Sequence, residues 1–314
     1  MKVSQVISCY LVSRRSVGVR LESAERTLYQ FAKTVGDCEF KRVSPKSVSK
    51  FLMGSGSISN SWYLKYKLLN GLYRYAIARG YVDKAPLPSD IPALPPSLTP
   101  HVYSTEEIQR LLDATVVINN PCCPLQASSL KSLLILLYGT GLRVSEALSL
   151  KISDINLAEK IITVRDTKFY KTRLVPLGER VSEELKHHII RRNSLPMPDG
   201  VDSAVFAIRS GSALGYRQVN DWFVQVRNAA RIGAPPGEKK PPRLHDLRHT
   251  AAVHRVIHWY RSNEDVQRLL PHLATYLGHI KIKSTQRYLT MTPELLEEAS
   301  LRFAVYAEME VDHA

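Results

Sequence analysis

Thr140-Gly141-Leu142-Arg143-Val144-Ser145-Glu146 follows a nearly unbroken apolar run at 130–137. Gly139 and Gly141 end one helix, and the next begins directly after them. That places Arg143 near a helix N-terminus, an end already electropositive and suited to an anion. Glu146 stands one turn further on. Taken alone, an Arg143–Glu146 pair worth a few tenths of a kcal/mol explains the stretch equally well.

Downstream, the period changes at residue 160. Ile161, Ile162 and Val164, then Leu174, Val175 and Pro176, flank a polar and basic centre. This predicts a β-hairpin with its tip near 166–172. Lys168, Lys171 and Arg173 crowd the tip, a cluster suited to gripping a phosphate backbone, and one lysine is placed to reach a leaving oxygen. Next comes His245-Asp246-Leu247-Arg248-His249, where His245 and Arg248 lie one turn apart and point the same way. His245 and His249 also have the i, i+4 spacing of a helical zinc site. Arg248, on nearly the same face, argues against it, because a guanidinium repels a dication. Leu277-Gly278-His279 follows, with Tyr288 nine positions later. Singly, His279 reads as a structural hydrogen-bonder and Tyr288 as a core or interface tyrosine.

Upstream, Pro86, Pro88, Pro92, Pro95, Pro96 and Pro100 crowd one short stretch. Proline donates to neither helix nor sheet, so 86–103 is expected to be a stiff, extended linker. It separates a helical domain at 1–85 from a second domain at 104–314. Ser104 and Glu107 form a capping box that opens the second domain. Before the linker, helical spacing is readable at 21–35, from Pro45 to Leu52, and at 60–79 with Gly80 as its stop. Beyond it, helical periodicity returns at 181–190, at 219–230 and from His245. The expected fold is mainly α with a small β-sheet or hairpin.

The chain has 314 residues and a net charge of +14. Residues 1–100 hold 15 Lys and Arg against 6 Asp and Glu, so the excess concentrates in the first domain. A basic surplus of this kind favours a polyanion through release of condensed counterions. No apolar run approaches the roughly 18 residues that span a bilayer, and nothing resembles a secretory signal, so a soluble, cytoplasmic protein is expected. Four cysteines, two of them adjacent at Cys122 and Cys123, make neither a disulfide framework nor a zinc knuckle. The chain carries no GxxxxGK[ST] phosphate loop and no dense acidic cluster for two metals. No cofactor or metal is expected.

The four groups share an order and a spacing. TGLRVSE, a basic hairpin closing in RLVPL, HDLRHT, and LGH with a tyrosine nine residues on together resemble the tyrosine recombinase (phage integrase) family. The resemblance implies a two-domain clamp, with a helical core-binding domain ahead of an α+β catalytic domain. By motif position, Arg143 looks like the first catalytic arginine, with Glu146 supporting it. His245 and Arg248 match the HxxR element, His279 the later histidine, and Tyr288 the nucleophile. Counting back from Val175-Pro176 puts the catalytic lysine at Lys168. Counting forward from Arg143 gives Thr167, so this hairpin is one residue longer than the common pattern, and Lys171 is a second candidate.

What the resemblance implies is a site-specific recombinase that cleaves and rejoins double-stranded DNA at specific recombination sites through a 3′-phosphotyrosine. Integration, excision or transposition of a mobile element is the expected setting. A homo-tetramer on two sites is expected, with 294–306 as a C-terminal docking helix that packs on its own domain or on a neighbour. Two other readings stand beside it: a type IB topoisomerase-like enzyme, and a non-catalytic DNA-binding regulator.

Overall fold

A computed structural model describes residues 1–19, 21–54, 56, 58–93, 99–120, 123–165, 172–235, 240–279, 282–286, 288 and 295–301. The chain divides into two compact units, Met1–Leu98 and Thr99–Ala314. Among the described residues, no helix is long and apolar enough to cross a membrane.

Among the described residues, the first unit is built from four α-helices: α1 (Val3–Arg15), α2 (Glu22–Thr34), α3 (Pro45–Met53) and α4 (Asn60–Ala78). Helix α3 starts as its sequence dictates, with Pro45 in the first turn and the Ser47 amide donating to the Ser44 hydroxyl at 3.2 Å. Phe31, Phe51, Leu69, Leu72 and Tyr73 fill the core. Helix α1 adds Val3, Val6, Ile7, Tyr10 and Leu11 to it. Their spacing of three and four is an amphipathic stripe that a search for long apolar runs passes over.

The second unit opens with α5 (Thr105–Asp113) and its capping box. The Glu107 amide donates to Ser104 Oγ at 3.1 Å, and the Ser104 amide to Glu107 Oε2 at 3.0 Å. Helix α6 (Ala127–Thr140) is the centre of the unit, burying Leu130, Leu133, Leu134, Leu136 and Leu137. A short α7 (Val144–Leu148) follows. Among the described residues the sheet has three antiparallel strands, β1 (Ile155–Asn156), β2 (Ile161–Val164) and β3 (Arg173–Pro176). Strands β2 and β3 pair as the expected hairpin, with Ile162 opposite Val175 and Val164 opposite Arg173. The hairpin tip, with Lys168 and Lys171, lies outside the described residues. Strand β1 is too short for its alternation to be read in advance.

Helices α8 (Glu179–Arg192), α9 (Tyr216–Ala229), α10 (Asp246–Arg261) and α11 (Val266–Leu277) follow, with a single turn, α12 (Lys283–Gln286). Helix α6 packs on α8 and α10, and α11 touches β3; hydrogen bonds from Arg248 to Gly141 O and Leu277 O, and from Arg173 to Tyr276 O, bring the ends of α6 and α11 to the start of α10 and to β3. Residues 295–301 are helical. Leu295 is buried with α10 and α11 residues of its own unit, and Glu298 pairs with Arg261 at 2.7 Å. Leu296 and Leu301 are exposed, and 302–306 of the expected docking helix lie outside the described residues.

Candidate active site

Two helices end beside each other in left-handed caps. Gly141 closes α6 at φ +62°, and Gly278 closes α11 at φ +67°. Only glycine adopts this geometry without strain. Each cap leaves unpaired C-terminal carbonyls that call for donors. Arg248 answers both. Its Nη1 donates to Gly141 O at 2.7 Å and its Nη2 to Leu277 O at 2.6 Å. The side chain is 3% exposed. Burial, and then the nearby Arg143 charge, push its pKa down to about 10, which still leaves it charged at neutral pH.

Arg143 is the N-cap of α7, and its Nη2 reaches Gly278 O at 3.2 Å. Its Nη1 donates to Glu146 Oε1 at 2.6 Å, and its amide to Glu146 Oε2 at 3.0 Å. A third of the Arg143 side chain remains exposed. Glu146 is buried, and burial alone would raise its pKa. Hydrogen bonds from Arg173 and the Arg143 amide, with the charges of both arginines, outweigh burial and hold it at about 2.

The sequence places Arg173 among the phosphate-gripping cations, and the structure turns it inward. Nη1 and Nη2 donate in parallel to Glu146 Oε1 and Oε2 at 3.1 and 2.8 Å, and Nε donates to Tyr276 O at 3.1 Å. The guanidinium also lies on Gly278, where a Cβ would stand 2.9 Å from Nη1. Strand alternation carries the signal, since Arg173 and the buried Val175 are two residues apart and share a face.

Four aromatic rings continue the site. His245 meets His249 edge to face at 5.2 Å between centroids, His249 meets Tyr288 at 5.6 Å, and Tyr288 meets His279 at 5.9 Å. His279 shares a 2.8 Å hydrogen bond through Nδ1 with Thr285 Oγ1. Burial and the neighbouring His245 push His249 down to about 4. Burial, Arg248 and Arg143 push His279 to about 4. His245 is lowered by burial and Arg248. All three imidazoles are therefore neutral at pH 7. Tyr288 is 2% exposed, and its phenol lies within electrostatic reach of Arg248.

Of the residues singled out in the sequence, Arg143, Glu146, Arg248, His245, His279 and Tyr288 fall into one neighbourhood. Lys168 and Lys171 lie outside the described residues. His249, which the sequence offers as a zinc ligand, is the link in the ring series. Asp246, the carboxylate beside it, is instead held by Arg243, whose amide and guanidinium donate at 2.8 and 2.7 Å. Among the described residues, no three His, Cys, Asp or Glu side chains gather as a metal site.

A mostly helical unit with two buried helix-end arginine contacts, a shared glutamate and a sheltered tyrosine defines a recognisable class. Residues 102–294 match the model of the phage integrase family, and the chain belongs to that family. It is 32% identical over 304 residues to the putative integrase/recombinase y4rB of Sinorhizobium fredii, covering 95% of this chain and 96% of that protein. It is 28% identical to the tyrosine recombinase XerD of Mycobacterium leprae, covering 92% of each. In fold it is similar to the Tn1549 transposon integrase solved with transposon right end DNA, with a TM-score of 0.68 at 18% identity over the full length of both chains.

Proposed function

We propose that this chain is a site-specific DNA recombinase that cuts and rejoins strands through a covalent 3′-phosphotyrosine on Tyr288. One observation carries the reading: Arg143, Arg248, His279 and Tyr288, distant in sequence, meet around the paired ends of α6 and α11. Arg143 and Arg248 clamp the two non-bridging oxygens of the scissile phosphate, a task suited to planar guanidiniums that keep their charge. The Tyr288 oxygen attacks phosphorus, the P–O5′ bond breaks, the phenol gives up its proton, and O5′ gains one. The new phosphotyrosyl ester conserves the bond for rejoining. Lys168 protonates the leaving 5′ oxygen, with Lys171 as the alternative. Neutral His245 accepts a proton during attack, and His279 donates to the phosphate. No step calls for a metal or cofactor.

In this reading residues 1–85 form the core-binding domain, 86–103 the linker and 104–314 the catalytic domain. The two domains clamp duplex DNA at specific sites, and four copies act on two sites. The relatives named as integrases favour movement of a mobile element, carried out in the cytoplasm. Tyr288→Phe is expected to bind DNA and form no covalent adduct on a nicked suicide substrate, while the wild type traps one. An adduct in the variant would reassign the nucleophile. Absence of an adduct in the wild type would favour a DNA-binding regulator, and relaxation of supercoils lacking any site would favour a topoisomerase.

A further inference from the structure

Arg173 has no place in the chemistry just described, yet it is tightly built into the site. It is 12% exposed, and its fork is spent on Glu146 and on Tyr276 O. Three of its five N–H donors are engaged there.

Its place becomes clear from the charges around it. Glu146 Oε1 accepts from Arg143 and from Arg173, and Oε2 accepts from Arg173 and lies 4.0 Å from Arg248 Nη1. The buried carboxylate is thus a standing competitor of the phosphate for both clamp arginines. With the three imidazoles neutral, three guanidiniums face one carboxylate, and the described site holds a surplus of two positive charges. A phenolate attacking a phosphodiester produces a pentacoordinate phosphorus whose oxygens carry two negative charges. Preorganised positive charge stabilises that state without reorganisation. Removing Arg173 would halve the surplus and leave Glu146 to draw on Arg143 and Arg248 alone.

We propose that Arg173 is a positioning residue for strand cleavage: it occupies both oxygens of Glu146, so that Arg143 and Arg248 keep their remaining donors and their charge for the scissile phosphate. The proposal rests on the recombinase reading above and adds to it a residue that touches no DNA.

The test compares two substrates in single-turnover adduct formation. One is a suicide substrate with an ordinary scissile phosphodiester. The other carries a methylphosphonate there, which lacks one anionic oxygen and needs one positive charge fewer in the transition state. Arg173→Gln keeps an amide for Glu146 and removes the charge. It is expected to slow adduct formation on the phosphodiester by about 100-fold, the scale of a lost preorganised electrostatic group. On the methylphosphonate the gap to wild type is expected to shrink to about tenfold or less, since the missing charge is no longer required. Arg173→Lys, which keeps the charge and loses the fork, is expected to lie between Arg173→Gln and wild type on the phosphodiester. DNA affinity is expected to be unchanged in both variants. An equal loss on both substrates, or Arg173→Lys as slow as Arg173→Gln, would mean that Arg173 only holds the fold, and would overturn the proposal. Failure of the wild type to form any adduct would instead bring down the recombinase reading, and this proposal with it.

Discussion

Removing the charge of Glu146 while keeping its shape tests the electrostatics of the site independently of DNA. The carboxyl is held at about 2 against an ordinary value of 4.5. Each unit of difference is worth about 1.4 kcal/mol, so ionised Glu146 contributes about 3 kcal/mol to folding at neutral pH. The sign follows from the direction of the shift. A depressed folded pKa means that the unfolded chain binds the proton first, so the contribution is complete above about 4.5 and fades as pH falls toward 2. At pH 3.5 roughly 2 kcal/mol of it remains. Glu146→Gln cannot titrate, and it leaves Arg143, Arg173 and Arg248 without their counter-charge. It is therefore expected to be less stable than wild type by about 3 kcal/mol at pH 7, in the range for breaking a buried ion pair. Urea unfolding of both proteins from pH 7 to 3 measures the gap at each pH, and other carboxylates cancel in the difference. The gap should stay constant down to about pH 5 and then close. A gap that is pH-independent below 5, or absent at pH 7, would refute the claim that the arginines hold Glu146 ionised.

Three further outcomes follow from the same geometry. Gly141→Ala places a Cβ 2.7 Å from Leu277 Cδ2 at a φ of +62°; the backbone strain alone costs about 1–2 kcal/mol, and the thermal midpoint should fall accordingly. Adduct formation should slow as well, because the Gly141 carbonyl that seats Arg248 must shift; an unchanged midpoint and rate would contradict this. Arg143→Lys keeps a charge but loses the planar fork, and single-turnover cleavage is expected to drop by about 100-fold or more, so near-normal cleavage would argue against the clamp. His279, neutral in the fold with a pKa lowered to about 4, is free to protonate near 6.5 in the unfolded chain. Its contribution to stability is complete above 6.5 and is lost as pH falls toward 4. Relative to His279→Gln, wild type should therefore lose stability across that window in urea unfolding, and parallel curves would show that the imidazole is not held neutral.

Much of this site is written in side chains that a sequence displays, and the remainder is written in backbone. The spacing of Leu69, Leu72, Tyr73 and Ala76 announces α4, and Ser104 with Glu107 announces α5, because local periodicity and capping are decided within a few residues. Helix α1 obeys the same rule, with Val3, Val6, Ile7, Tyr10 and Leu11 on one face, but polar residues interleave the stripe and break it as a run. Arg173 stands in a basic cluster by sequence, and its two-residue offset from Val175 assigns it to the inner face of the strand. No such signal exists for the partners of Arg248. Those are the carbonyls of Gly141 and Leu277, and a carbonyl belongs to every residue alike. The glycines are legible as helix stops, but the consequence of stopping two helices side by side emerges only when the chain folds. Each left-handed cap turns the chain away and leaves helix-end oxygens without intrahelical donors, and two such ends brought together make an electronegative seat for a guanidinium. The arginine motif and the glycine motifs are therefore one device, in which the caps create the negative potential that holds Arg248 buried and charged.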